Sequence, residues 1–188
     1  MGRPKLLLPI GDTTVIELVL RAMRAGGIND VVMVVAPSME DLARKAMDAG
    51  ASVVRLSEDT PNMRATCLHG LAWIEERFHP RDDDGWLLLP ADHPTVQPDV
   101  VRAILAAISE NTDKTIIVPS HKGRRGHPTW LRWSHVAAIR AMPADQGLNA
   151  YIRTQSAERL ELPWPDDDIL FDLDTPEDYR QFECENLR

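Results

Sequence analysis

Apolar positions along the chain follow two rhythms that take turns. Between the turn Gly11-Asp12-Thr13-Thr14 and the pair Gly26-Gly27, the residues Val15, Leu18, Val19, Ala22 and Met23 recur at helical spacing. That spacing predicts an amphipathic helix with cap residues at its start and glycine at its end. Val31 to Ala36 is a β-branched apolar run that reads as an interior strand. Pro37-Ser38 turns the chain, and Ser38 with Asp41 has the pattern of a capping box opening a helix that ends at Ala49-Gly50. Val53 to Leu56 predicts a short strand, and Met63 to Phe78 a helix through Cys67, Leu71 and Ile74. Arg81 to Gly85 reads as a solvated loop.

Trp86-Leu87-Leu88-Leu89 then runs without polar alternation, as expected of a strand covered on both faces by helices. Pro90 removes a ladder donor and Pro94 stiffens the residues after Asp92, so pairing is expected to fail near that carboxylate. A helix is predicted from about Pro98 to Asn111 and a buried strand over Thr115 to Pro119. Thr129 to Trp133 reads as a strand or as the start of a helix over Ser134 to Ala141, with a short helix next around Ala150 to Thr154. Strands near Arg159 to Leu162 and Ile169 to Asp172 come before a final helix opening at Pro176, a residue suited to the first helical turn. Strand and helix alternating with short turns imply a doubly wound α/β sheet with parallel neighbours. Ligands bind beyond the carboxyl ends of such strands, which makes Asp92 the first candidate for chemistry; capping the helix near Pro98 is the plainer alternative.

Composition narrows the classes. With 188 residues and 44% hydrophobic content the chain suits one domain, residues 1–188, with a sizeable core. A formal charge of -8 argues against nucleic-acid binding, which needs clustered Lys and Arg. Cys67 and Cys184 form no C-x-x-C, so neither a disulfide framework nor a thiolate zinc site is indicated. The histidines show no zinc spacing. No apolar run is long enough for a membrane span and no signal-peptide pattern is present, so a cytoplasmic protein without membrane partners is expected.

Five motifs recur in order: Gly2-x-Pro4-Lys5-Leu6-Leu7-Leu8-Pro9-x-Gly11, Pro90-Ala91-Asp92-x-Pro94, Gly126-His127-Pro128, Asp145-x-Gly147 and Asp172-Leu173-Asp174-Thr175-Pro176-Glu177-Asp178. Together they resemble the MobA-like nucleotidyltransferases, most of all the molybdenum cofactor cytidylyltransferases, over essentially the whole chain. The resemblance implies a three-layer α/β/α sandwich with a mostly parallel sheet, the Rossmann-like nucleotide-diphospho-sugar transferase fold. It also implies a Mg²⁺-dependent transfer of a nucleoside monophosphate from an NTP to a phosphate-bearing or sugar-like acceptor, with release of pyrophosphate. Family members begin with a buried strand and a glycine-rich loop just ahead of the Met-Gly-x-Pro-Lys found here at residues 1–5. The first strand is therefore expected to be missing, either because Met1 is an internal methionine read as the start or because the protein is truncated and has little activity. That loop would supply backbone amides and a cationic side chain to the nucleotide phosphates.

By the same resemblance, Lys5 contacts the NTP phosphates, Asp92 holds the metal, and Asp174 is its second carboxylate, with Asp172 as runner-up. Mg²⁺ needs only one or two carboxylates besides substrate phosphates. A solvated lysine and a helix N-cap are the plainer readings of Lys5 and Asp174. Arg3 falls where the family varies. Thr66 stands where the family has a nucleotide-loop serine, but Asn62 replaces a glycine there, and both residues suit a helix cap. The basic loop Lys122 to His127 would hold the acceptor, with Gly126 and His127 lining its pocket; an exposed hairpin tip is the alternative. Trp130 and Trp133 stack on a pterin or base, or fill the core. His93 departs from the family's Gln or Met and is given no catalytic role. The acidic triplets at Asp82 and Asp166 read as solvated loops.

The function expected is thus nucleotidyl transfer from CTP, favoured over GTP because Gly-x-Pro-Lys resembles the cytidylyl branch, to an acceptor such as molybdopterin cofactor. Alternatives are a non-catalytic nucleotide- or cofactor-binding partner in molybdoenzyme maturation and a sugar-phosphate nucleotidyltransferase. A homo-oligomer is compatible with each.

Overall fold

The computed structural model describes residues 4–186; Met1, Gly2 and Arg3 of the first motif lie outside the described residues. A 3-10 turn (Lys5–Leu7) leads into a small antiparallel ribbon of β1 (Pro9–Ile10) and β2 (Thr13–Thr14), then α1 (Val15–Ala25), β3 (Val32–Val35), α2 (Glu40–Asp48), β4 (Ser52–Arg55) and α3 (Met63–Phe78). Next come β5 (Gly85–Leu88), α4 (Pro98–Glu110), β6 (Ile116–His121), β7 (Arg124–Arg125) and β8 (Thr129–Arg132). A 3-10 turn (Trp133–His135), α5 (Val136–Ala141), α6 (Leu148–Thr154), β9 (Arg159–Pro163) and α7 (Pro176–Asn186) complete the chain.

Five strands form one mixed sheet in which β8 sits between β5 and β6, antiparallel to both, while β9 adds parallel to β6. β5, β6 and β9 therefore run one way and β8 opposes them. β3 and β4 form a separate parallel pair. Helices cover both faces. On one, Ile116, Val118 and Leu131 pack with Val136, Ile139 and Ile152; on the other, Ile117 and Trp130 pack with Val100, Val101 and Ile104 of α4. Around β3, Met33 and Val35 pack on Ile16, Leu20, Leu42 and Ala46 of α1 and α2. Helices on both faces give the three-layer α/β/α architecture that the resemblance implied, and β3 with β4 and β6 with β9 pair in parallel as the strand and helix rhythm implied, with β8 the opposing strand.

Local chemistry explains most element boundaries. Thr14 and Glu17 form the capping box of α1, with Glu17 Oε2 accepting from the Thr14 amide at 2.9 Å and from its hydroxyl at 2.7 Å. Burial would raise the Glu17 pKa, but these bonds and Lys45 hold it below the ordinary value. The basic loop Lys122-Gly123 is a two-residue hairpin with φ of 49° and 78°, the positive angles that fit a tight turn to twisted strands. Residues 122–125 are exposed at its tip, as in the hairpin alternative.

Several expectations need correction. Ser38 does not cap α2: the N-cap residue is Met39 and no side chain bonds the first-turn amides. The segment Ile169 to Asp172 is not a strand. It is tied by separate bonds, the His127 amide donating to Ile169 O at 2.9 Å and the Leu173 amide to Asp92 O at 2.9 Å, and these do not make a ladder. The runs read as interior strands are only partly interior. Met33, Val35 and Trp86 are buried, but Val32, Val34, Leu87, Leu88 and Leu89 are half-buried, because among the described residues β3 and β5 are each paired along one edge only. Trp130 and Trp133 are core residues, 5% and 6% exposed.

Candidate functional site

Past Leu88 the chain leaves the sheet through two overlapping turns, His93 N–H to Pro90 O and Val96 N–H to His93 O, with Val96 buried as the anchor. Pro90 and Pro94 lack the amide hydrogens that would prolong a ladder, so Asp92 stands free at the strand's carboxyl end. The 169–174 segment is pinned beside it. Thr95 Oγ1 donates to Asp168 O at 2.6 Å, and Ile169 and Leu173 are fully buried.

Asp174 is thereby brought to the same place. It is not the N-cap of α7: the Thr175 hydroxyl accepts from the Asp178 amide at 3.2 Å while Asp178 Oδ2 accepts from the Thr175 amide at 2.6 Å. That reciprocal pair leaves the Asp174 carboxylate available for other work.

Lys5, in the 3-10 turn at the start of the described chain, closes the cluster. Its Nζ donates to Asp92 Oδ2 at 2.7 Å and to Asp174 Oδ1 at 2.9 Å. Burial alone would lower the Lys5 pKa, but hydrogen bonds and charge from both carboxylates outweigh it and hold it above the usual lysine value. Burial likewise pushes Asp92 up, and the Lys5 ammonium more than offsets that push, keeping the carboxyl ionised below the usual range. The three residues face a cavity of about 790 Å³ that is also lined by Thr66, His93, His127 and Asp172.

The other expected site residues divide between the cavity and its surroundings. Thr66, in the first turns of α3, reaches the cavity wall, its hydroxyl bonded to Asn62 O at 3.3 Å and to Thr60 Oγ1. Asn62 caps α3 by accepting from the Ala65 amide at 3.0 Å. Gly126 is buried away from the cavity against the 169–174 segment, where a Cβ would come within 2.8 Å of Ile169 Cβ. Its neighbour His127, joined to Pro128 by a cis peptide bond, does line the cavity.

His93, given no catalytic role from the sequence, lines the same cavity. It is 8% exposed and packs edge-on against His127, with ring centroids 4.8 Å apart. The Nδ1 atoms of both rings are buried without hydrogen-bond partners. Its only signal in the sequence was adjacency to Asp92. Burial lowers the pKa of His93 although Asp92, Asp172 and Asp174 pull the other way. Burial, and then the charge His93 would carry, push His127 down to about 4.

The His127 shift predicts acid sensitivity. An imidazole whose folded pKa lies below its unfolded one stabilises the protein fully above the unfolded value and loses that contribution as pH falls towards the folded one. Between about pH 6.5 and pH 4, stability should fall by up to about 1.4 kcal/mol per pH unit from this ring. Asp92, with its lowered pKa, adds a loss in the same direction at lower pH. Urea midpoints measured across this range should decline less steeply in His127→Gln than in the native protein.

Among the described residues no group of three or more His, Cys, Asp or Glu side chains is arranged to hold a metal ion, and no helix is long and apolar enough to cross a membrane. Any cation held by Asp92 and Asp174 would have to complete its shell with ligand oxygens.

Residues 1–160 match the family model of the MobA-like NTP transferase domain. Among solved structures, Rv0371C of Mycobacterium tuberculosis H37Rv in complex with manganese is 27% identical, with a TM-score of 0.79 and coverage of 97% of this chain and 93% of that one. An Rv0371c homolog from Mycobacterium sp. strain JC1 is 21% identical with a TM-score of 0.81, covering all of this chain and 90% of that one. A 4-diphosphocytidyl-2C-methyl-D-erythritol synthase, 17% identical with a TM-score of 0.74, covers 98% of this chain and 95% of that one. At the identities of the last two the likeness is one of fold. No curated protein sequence matches.

Proposed function

The chain belongs to the MobA-like NTP transferase family, a family of nucleotidyltransferases, and from that premise we propose that it moves a nucleoside monophosphate from an NTP, CTP before GTP, to a phosphate-bearing acceptor such as molybdopterin cofactor. The observation that carries the reading is the convergence of Lys5, Asp92 and Asp174 at the carboxyl end of β5. Three segments far apart in sequence deliver one cation and two anions to the mouth of a cavity large enough for a small-molecule ligand.

The donor set fits Mg²⁺ or Mn²⁺. Two hard carboxylate oxygens already lie within 3 Å of a single ammonium, so they are placed to share one positive charge. The relative with bound manganese agrees with that chemistry. Asp92 and Asp174 would hold a divalent cation, which would supply charge neutralisation to a bound triphosphate. The Lys5 ammonium, at the same mouth of the cavity, would offset the charge that develops on the leaving pyrophosphate. In the transfer an acceptor oxygen bonds to the α-phosphorus as the bond from that phosphorus to the bridging oxygen breaks. Asp92 and Asp174 orient these groups, and no covalent enzyme intermediate is needed. The buried, uncharged rings of His93 and His127 present acceptor or donor nitrogens to the bound acceptor instead of charge.

The test is pyrophosphate release by the full chain with Mg²⁺ or Mn²⁺, each of CTP, GTP and UTP, and either molybdopterin cofactor or a sugar phosphate. Release should be greatest with CTP and the pterin acceptor. Thermal stabilisation by metal and CTP without any release would favour the non-catalytic binding reading, and neither effect would sink both.

A further inference from the structure

Of the five sequence motifs, Asp145-x-Gly147 alone supplies no lining to the cavity that Lys5, Asp92, His127 and Asp174 face. It belongs to the connection between α5 and α6, in which residues 143–147 are all exposed. Buried groups pin that connection at both ends. At one end Arg64, 7% exposed, closes the carboxyl end of α5, its Nη1 donating to Ile139 O at 3.3 Å and to Met142 O at 3.0 Å. At the other, Leu148 is buried in the core with Leu71 and Ile152. Between the two the loop bonds to itself through Gln146 N–H and Pro143 O at 3.1 Å, and nothing packs within 4 Å of a Cβ built at Gly147.

Among the described residues, one hydrogen bond reaches residues 143–147 from a distant part of the chain. Asn62 Nδ2 donates to Ala144 O at 3.1 Å, while Oδ1 of the same side chain accepts from the Ala65 amide at 3.0 Å as the N-cap of α3. The two ends of one amide thus join the first turn of α3 to the middle of the loop. Both elements joined in this way face the cavity: Met63, Thr66 and Cys67 line it from α3, and Asn149 lines it from the first turn of α6, two residues beyond Gly147. The Asn149 amide has no hydrogen-bond partner among the described residues, so its donor and acceptor are open to a ligand. The double bond from Asn62 needs an amide, because aspartate caps a helix as well but has no hydrogen to give.

We propose that Asn62 is a positioning residue whose amide latches the α5–α6 connection to the start of α3 and so sets the spacing of the cavity walls formed by Thr66 and Asn149, an inference that rests on reading this cavity as the substrate site. Arg64 and Leu148 are the fixed points. The Asn62 bond is the part that opens, since water competes for a bond at the surface and not for buried ones. With the latch open, a ligand that bonds Asn149 has to order the connection as it binds, and its affinity falls. Lys5, Asp92 and Asp174 stand on other segments and keep their geometry, so the chemical step is spared.

Asn62→Asp separates latch from cap: the carboxylate still accepts from the Ala65 amide and can donate nothing to Ala144 O. Backbone NMR relaxation is measured on the full chain without nucleotide or metal, which makes it independent of the proposed activity. Order parameters of residues 144–147 should lie near the rigid value of about 0.85 in the native protein and fall below about 0.6 in Asn62→Asp, with those of α3 unchanged. Pyrophosphate release with Mg²⁺, CTP and either molybdopterin cofactor or a sugar phosphate should show the KM of one substrate raised at least about threefold and kcat within about twofold of native. The proposal is overturned if residues 144–147 stay as rigid in the variant as in the native protein, if α3 loosens with them, or if the loop loosens and neither KM rises. A native chain without turnover would sink the proposed activity instead, and the relaxation data alone would then decide the latch.

Discussion

Asp92→Asn is expected to cut metal-dependent pyrophosphate release by at least about a thousandfold, equivalent to about 4 kcal/mol of transition-state stabilisation. The amide keeps the shape of the side chain but not its charge. One of the two anions that share the Lys5 ammonium disappears, and with it half of the protein's charge on a bound cation. Stability should fall only by the contribution of the partly buried Lys5 ion pair, because the backbone tie from the Leu173 amide runs to the Asp92 carbonyl, which the substitution leaves in place. Asp174→Asn should be milder, since the Asp174 side chain is 62% exposed against 25% for Asp92 and its charge is better screened. Mn²⁺ titrations monitored by electron paramagnetic resonance should rank the variants in the same order as turnover. Undiminished release from Asp92→Asn would refute the assignment.

Much of the fold was legible because the signals for it are local. Helical spacing in Val15 to Met23 and in Val100 to Ile108, and the β-branched run at residues 31–35, each express a requirement met within a few residues. What was not legible depends on partners far along the chain. Nothing in Thr129 to Arg132 says that it runs antiparallel between β5 and β6; that orientation comes from how the sheet is closed. Ile169 to Asp172 has a strand's composition but meets isolated backbone bonds, Ile169 O accepting from His127 and the Leu170 amide turning back to Asp167 O, instead of a ladder, and stays irregular. Trp86 to Leu89 has the apolar run of an interior strand and among the described residues is paired on one side, since composition reports what a strand can bury and not what lies beside it. In the site, the strand end marked Asp92 and the resemblance supplied Lys5 and Asp174 as its partners, whereas periodicity could not have joined residues so far apart. The competition between capping and ligation at Asp174 was open in the sequence, because Asp, Thr and Pro all suit a helix start. The structure gives the cap to Thr175 and Asp178.

Leu173→Ala should couple stability to the site more strongly than any substitution away from the three charged residues. Leu173 is fully buried with Ile10, Val15 and Phe182, so truncation removes packing on all sides and leaves a void that costs about 3 kcal/mol. That is a large share of the 5–15 kcal/mol or so by which folded domains are stable. The same residue holds Asp174 in place, through its amide bond to Asp92 O at 2.9 Å and through its position one residue upstream. Mn²⁺ affinity should therefore fall about tenfold or more although no charged group has been changed. Leu173→Met, which keeps the volume, should cost under about 1.5 kcal/mol and leave binding intact. Urea unfolding and Mn²⁺ titration on the three proteins separate the two effects: a destabilised Leu173→Ala that still binds Mn²⁺ at native affinity would mean that Asp174 is held by α7 and not by the buried leucine before it.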